Sequence, residues 1–233
     1  MTGLSDAHHF RKMVAGLCMV LAPLLLLAGL VIRPETGTEA SSVIAAAADN
    51  PDAWYIANLL ILVSLVLAVP AVLGLMHMLR EREVALGHLG GGLGLVGILA
   101  FVGLVSLDGF AGWQAGVGDR SEMVALFDRL YDTAGVVIPF YVMSFAFALG
   151  MLCLAYGLYK ARAVQSWMAL FLAISAVLTA IGFPMANELV SIIGAAFLLV
   201  GVGSIGRMVL SESDEAWEHT PEYEGFRPLA GMR

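Results

Sequence analysis

Two carboxylates lie where the sequence around them gives no structural reason for a charge. Asp108 follows the stretch 89–107, which has no charged side chain, and Glu188 lies in a turn of only four residues. Two carboxylates close together attract a cation or a cationic headgroup. We expect both to line a pocket at the outer ends of the apolar helices, together with other polar and aromatic residues near that boundary: Asp52, Asn58, Trp113, Gln114 and Asp132.

Two histidines raise the alternative of a metal or haem site. His77 and His88 flank the charged turn RERE at residues 80–83, and a shared iron would require both rings within reach of one position. Histidine is also common at the level of lipid headgroups, and haem held between helices usually lies deeper. We therefore expect no cofactor and no metal, and we expect Cys18 and Cys153 to stay unpaired.

Charged residues are absent from the middle of every long apolar segment. Proton relays, voltage sensors and retinal attachment all need such residues, so the sequence argues against these mechanisms. The sequence also contains no P-loop, no HExxH and no serine-protease pairing. We predict no catalytic residue, and a non-enzymatic protein is favoured over an enzyme.

The composition is that of a protein that crosses a membrane several times. Of the 233 residues, 60% are hydrophobic and 13% are charged, whereas soluble domains have about 25% charged residues. The net charge of -7 says nothing about nucleic acid, because the tail after Met208 carries six acidic residues against two arginines. We expect no nucleic-acid partner.

Six apolar segments of suitable length predict an all-α bundle of six transmembrane helices. A polar segment, residues 1–12, precedes them, and an acidic cytoplasmic tail, residues 208–233, follows. Seven basic residues lie near one set of helix ends and three near the other, which places both termini in the cytoplasm. The predicted spans are residues 13–32, 51–79, 84–108, 133–159, 164–184 and 187–207.

The third predicted span is unusually rich in glycine. Small residues let membrane helices approach closely, and an unsatisfied peptide group in lipid is costly enough to keep such a helix intact. We expect this span to lie at the centre of the bundle. Its packing seam is formed by Gly90, Gly94 and Gly97, and it continues through Gly87 and Gly91.

The loop between the third and fourth spans contains a short amphipathic pattern. Apolar residues recur with helical spacing from Met123 to Tyr131, in a segment too short to cross a membrane. We predict a helix over Asp119 to Tyr131 that lies in the outer interface and covers the pocket as a lid.

Four segments resemble an uncharacterised group of bacterial six-helix integral membrane proteins, common in actinobacteria. They are APLLLLAGLVIRP, DAWYIANLL with VPAVLGLMHMLRER, MVALFDRLYD, and GLYKARAVQSW, and the similarity extends over most of the chain up to Leu210. The resemblance implies the six-helix architecture and a multi-pass protein of the bacterial cytoplasmic membrane. It implies no activity, because none is assigned to the group.

Three functions stay open at this point. The first is a non-catalytic protein that binds a lipid or small amphiphile, or that serves as a subunit of a membrane assembly or self-associates. The second is a small-solute facilitator or channel with an acidic outer mouth. The third is an enzyme that acts on a lipid headgroup.

Overall fold

The computed structural model describes residues 2–37, 39–115, 120–219 and 226, and every regular element within them is helical. A π-helical segment, Val105–Ala111, joins the helix Val84–Leu104 to the helix Gly112–Ala115 without a break. The α-helices in chain order are α1 (Thr2–Ile32), α2 (Ala40–Asp49), α3 (Pro51–Met78), α4 (Val84–Leu104), α5 (Gly112–Ala115), α6 (Arg120–Tyr131), α7 (Ala134–Lys160), α8 (Ser166–Gly182), α9 (Glu188–Ser211) and α10 (Asp214–Glu218).

Five of the described helices are long and apolar enough to cross a membrane, which fits a membrane protein. They are Ala7–Ile32, Pro51–Met78, Val84–Ala115, Ala134–Lys160 and Glu188–Ser211. The fifth predicted span corresponds to α8, which has only 17 residues. It ends at Gly182, two residues before Pro184, which has no backbone N–H to continue the helical hydrogen bonds.

Six helices of the described chain pack as a closed ring. In the order α1, α3, α4, α7, α8 and α9, each contacts the next, and α9 returns to α1. Met19, Leu75, Leu154 and Ile205 come from four of these helices and are almost completely buried in one core. We call the end of the ring that carries Arg33 and Glu188 the loop end, and the end that carries α10 the tail end.

The glycine-rich helix α4 is a member of this ring, and the expectation that it lies at the centre is wrong. In the apolar stretch of its span, 28% of the residues are buried, compared with 39% in the corresponding stretches of α1, α3 and α9. An apolar glycine-rich helix is favourable at a two-helix contact as well as at a bundle centre, so composition alone could not separate the two positions.

The glycines of α4 face two different neighbours. A Cβ at Gly90 would lie 2.8 Å from the Gly150 carbonyl oxygen of α7, and Gly94 and Gly97 face α7 as well. Gly91 instead faces Met76 of α3, and Gly87 faces Leu79, which follows α3. The predicted seam is therefore two surfaces on one helix.

The tail end joins both termini of the described chain. Helix α1 begins at Thr2, eleven residues before the predicted span, and α9 continues to Ser211 before α10 folds back onto the bundle. Lys12 Nζ lies 2.5 Å from Asp214 Oδ1, and hydrogen bonds from Lys12 and His9 lower the pKa of Asp214. Trp217 is buried and stacks on His77. The boundaries predicted at residues 12 and 208 are therefore not breaks in the fold.

Helices α2 and α6 pack against each other at the loop end. Phe127 of α6 is buried with Ala40 and Ile44 of α2 and with Ala115. Phe127 lies at the centre of the apolar face of α6. Part of the face that was predicted to lie in the membrane interface is therefore covered by protein. Asp119, the predicted start of this helix, lies outside the described residues.

Candidate functional site

Arg33 lies directly after α1, and its side chain turns toward the loop end of the ring. The guanidinium carbon is 4.8 Å from the centroid of the Trp54 ring. That ring is completely buried at the start of α3, so it provides a fixed apolar platform for the cation. Burial lowers the pKa of Arg33, whereas the Asp108 and Glu188 carboxylates oppose this shift. An arginine retains its charge in such a setting.

The π-helical segment places Asp108 at the same level. One extra residue per turn changes the direction of the side chains that follow, and such segments are frequent at functional sites. Here α3 holds the segment, because the Trp54 indole N–H donates to the Gly109 carbonyl at 2.7 Å. A Cβ at residue 109 would lie 2.5 Å from Asn58 Oδ1, so only glycine permits this close approach.

Glu188 reaches the site from the first turn of α9. Asn187 caps that helix by accepting a hydrogen bond from the Val190 N–H at 3.0 Å. Glu188 Oε1 accepts a bond from the Thr36 N–H at 2.9 Å. The start of α9 is thereby tied to the segment that follows Arg33.

Tyr131, the last residue of α6, completes the polar group. Its hydroxyl donates to Asp108 Oδ1 at 2.9 Å. Burial and the neighbouring Asp108 carboxylate raise the pKa of Tyr131 above its usual range. The hydroxyl is therefore protonated at neutral pH and remains a donor.

These four side chains line one cavity of about 550 Å³ at the loop end. Much of the remaining wall is apolar and comes from α1, from the second half of α4 with the π-helical segment, from the first half of α7 and from the turn between α8 and α9. Examples are Leu30, Leu104, Leu107, Val137 and Phe183. The cavity therefore combines a charged patch with an apolar wall.

The structure brings together two of the seven predicted pocket residues, Asp108 and Glu188, which both line the cavity. The other five do not line the cavity. Asp52, Gln114 and Asp132 are exposed, Asn58 is buried and donates to the Trp54 carbonyl, and Trp113 packs on Tyr55.

Two lining residues, Arg33 and Tyr131, were not assigned to a pocket from the sequence. From the sequence, Arg33 is one of the three basic residues near the outer helix ends, and Tyr131 is an apolar position of α6. The sequence signal for Arg33 is its position directly after the uncharged stretch 13–32, which is the same kind of signal that identifies Asp108.

The two histidines lie in different surroundings. His77 Nε2 is 3.2 Å from the Trp217 carbonyl oxygen. His88 is exposed, and its Nδ1 lies 2.9 Å from the Val84 carbonyl oxygen. Across the described residues, no group of three or more His, Cys, Asp and Glu side chains could hold a metal.

No family model, curated protein or solved structure gives a significant match to this chain. The resemblance to a bacterial six-helix group therefore stays a prediction, and function has to be inferred from the geometry of the cavity.

Proposed function

We propose that this chain is a multi-pass protein of the bacterial cytoplasmic membrane that binds a lipid or small amphiphile in the loop-end cavity. The observation that carries the proposal is the pairing of an apolar wall with the charged patch of Arg33, Asp108 and Glu188. A volume of about 550 Å³ lies within the usual range for small-molecule sites, roughly 300–1,000 Å³. Membrane lipids are the expected partners.

The proposal includes six membrane spans, with α8 as the fifth. Before α8, Lys160 Nζ lies 2.9 Å from Glu83 Oε1, at the turn that joins α3 to α4. After α8, Glu188 contacts Thr36 at the loop end. Helix α8 therefore runs between the same two ends as its longer neighbours, and its 17 residues rise about 25 Å, close to the hydrocarbon thickness.

A binding site is better supported than a channel. A facilitator needs a continuous polar path from one end of the ring to the other. Toward the tail end the interior is filled by Leu79, Leu154 and Leu158, each with no exposed surface. The hydroxyl next to the Asp108 carboxylate is that of Tyr131, and its raised pKa makes it a poor nucleophile, so an enzyme acting on headgroups is less favoured.

Filling the cavity with a side chain tests the proposal. Gly103 lines the cavity on α4, and a Cβ there would meet no atom within 4 Å, so Gly103→Phe adds volume without forcing the backbone to move. We expect the amount of lipid that copurifies per protein molecule, measured by native mass spectrometry, to fall roughly tenfold. That factor corresponds to about 1.4 kcal/mol of binding free energy.

Gly92→Phe is the matched control. Gly92 is also an exposed glycine of α4 with open space around it, but it does not line the cavity. It should keep the lipid content and the melting temperature of the parent. Equal lipid content in both folded variants would overturn the proposal and would favour a role as an assembly subunit.

A further inference from the structure

Arg33 has hydrogen-bond donors that no described residue uses. Its Nε is fully buried without a partner, and the ion pairs among the described residues do not include Arg33. The contact with the Trp54 ring satisfies the face of the guanidinium but none of its N–H groups. A buried donor without a partner is costly, so the site favours an anionic acceptor beside Arg33.

The two carboxylates have acceptor capacity that is also unused. Tyr131 binds one oxygen of Asp108, and the Thr36 N–H binds one oxygen of Glu188. The second oxygen of each has no hydrogen-bond partner among the residues that the structure describes. These oxygens suit a group that carries positive charge and several N–H donors.

Together these side chains present one cation and two anions to the same cavity. An anion alone would meet Arg33 favourably but would be repelled by the two carboxylates. A cation alone would meet the carboxylates but would leave the Arg33 donors unfilled. A ligand that carries both charges avoids each penalty.

We propose that the loop-end cavity recognises a zwitterionic headgroup that contains a phosphate and a primary ammonium, as in phosphatidylethanolamine. This inference rests on the proposed function and specifies its ligand. The phosphate oxygens accept from the Arg33 guanidinium, whose planar donor group matches phosphate geometry. The ammonium donates to Asp108 and Glu188, and the acyl chain follows the apolar wall beside Leu104 and Leu107.

The test compares lipids with matched acyl chains by native mass spectrometry of the purified full chain in detergent. We expect phosphatidylethanolamine to bind roughly tenfold more tightly than phosphatidylglycerol, which lacks the ammonium, and than an alkylamine, which lacks the phosphate. Phosphatidylcholine should bind more weakly than phosphatidylethanolamine, because its quaternary ammonium has no N–H to donate.

Charge variants assign the two halves of the headgroup. Arg33→Gln should weaken the binding of every phospholipid. Arg33→Lys keeps the charge and should recover part of the affinity, and it is the variant to measure if Arg33→Gln does not fold. The double variant Asp108→Asn with Glu188→Gln keeps the shape of the patch. It should abolish the preference for phosphatidylethanolamine over phosphatidylglycerol.

Each outcome separates this inference from the proposed function. Lipid binding that Gly103→Phe abolishes, but that shows no preference for the zwitterion, overturns the headgroup assignment and leaves the proposed function standing. Lipid binding that is equal in the parent and in Gly103→Phe overturns both. If soluble phosphoethanolamine binds as tightly as the lipid, the ligand is a free solute, and the proposal that it is an amphiphile is overturned.

Discussion

At the scale of single residues, Tyr131 connects α6 to the acidic wall of the cavity. Its hydroxyl is the described partner of Asp108, at 2.9 Å. We expect Tyr131→Phe to lower the free energy of unfolding by about 1 kcal/mol, because the ring still packs on Phe127 while one hydrogen bond is lost. Thermal unfolding in detergent measures the change.

Tyr156→Phe is the control for that measurement. Tyr156 is 57% exposed on α7, far along the helix from the cavity, so the loss of its hydroxyl should change the melting temperature little. If both variants melt like the parent, the bond between Tyr131 and Asp108 contributes nothing measurable and α6 is held by its packing on α2.

The sequence was sufficient to select Asp108 and Glu188 because a carboxylate after an uncharged helix has few structural explanations. It was not sufficient to find Tyr131, since a tyrosine at an apolar position of an amphipathic helix looks the same whether its hydroxyl meets water or a carboxylate. It also assigned Asp52 and Asp132 to the pocket because they lie near the same boundary. The sequence indicates how far along a helix a residue lies, but it does not indicate which neighbouring helix the side chain faces.

At the scale of helices, the contact between α4 and α7 depends on backbone atoms that lie close together. A Cβ at Gly90 would lie 2.8 Å from the Gly150 carbonyl oxygen and 2.9 Å from the Leu154 nitrogen, so the helices must separate to accept it. We expect Gly90→Ala to lower the free energy of unfolding by about 1–3 kcal/mol. Unfolding in a denaturing detergent measures this cost.

Two other glycines of α4 provide graded controls. A Cβ at Gly94 would meet only the flexible end of Met151 at close range, so Gly94→Ala should cost less than Gly90→Ala. Gly92→Ala should be neutral or slightly stabilising, since alanine is the better helix former and the position is open. The reverse ranking would show that the contact with α7 does not limit stability.

The lengths and boundaries of the helices follow from the sequence more closely than their arrangement does. Five long apolar helices begin and end within a few residues of the predicted positions, apart from the extensions at α1, α5 and α9, because hydrophobic length is a local property. The π-helical segment depends on a hydrogen bond from Trp54, which is distant in the chain. Helix α10 is held in part by the ion pair of its Asp214 with Lys12, about two hundred positions earlier. Neither contact leaves a periodic pattern.

At the scale of the whole molecule, the proposed orientation puts the tail end in the cytoplasm and the cavity on the outer side. The distribution of basic residues supports it, with Arg11, Lys12, Arg80, Lys160 and Arg207 among those near the tail end. A lipid taken up in the cavity would then come from the outer leaflet. The orientation therefore decides from which leaflet the lipid enters the cavity.

Single cysteines at exposed positions test the orientation in intact cells. Ser41 lies on α2 at the loop end, and Glu215 lies on α10 at the tail end, and both side chains are exposed. A membrane-impermeant thiol reagent should label Ser41→Cys and should not label Glu215→Cys until the cells are lysed. The parent is the background control, because Cys18 is buried and Cys153 is half-buried within the helices. Labelling of Glu215→Cys in intact cells, or equal labelling of both variants, would contradict the orientation and would move the cavity to the cytoplasmic leaflet.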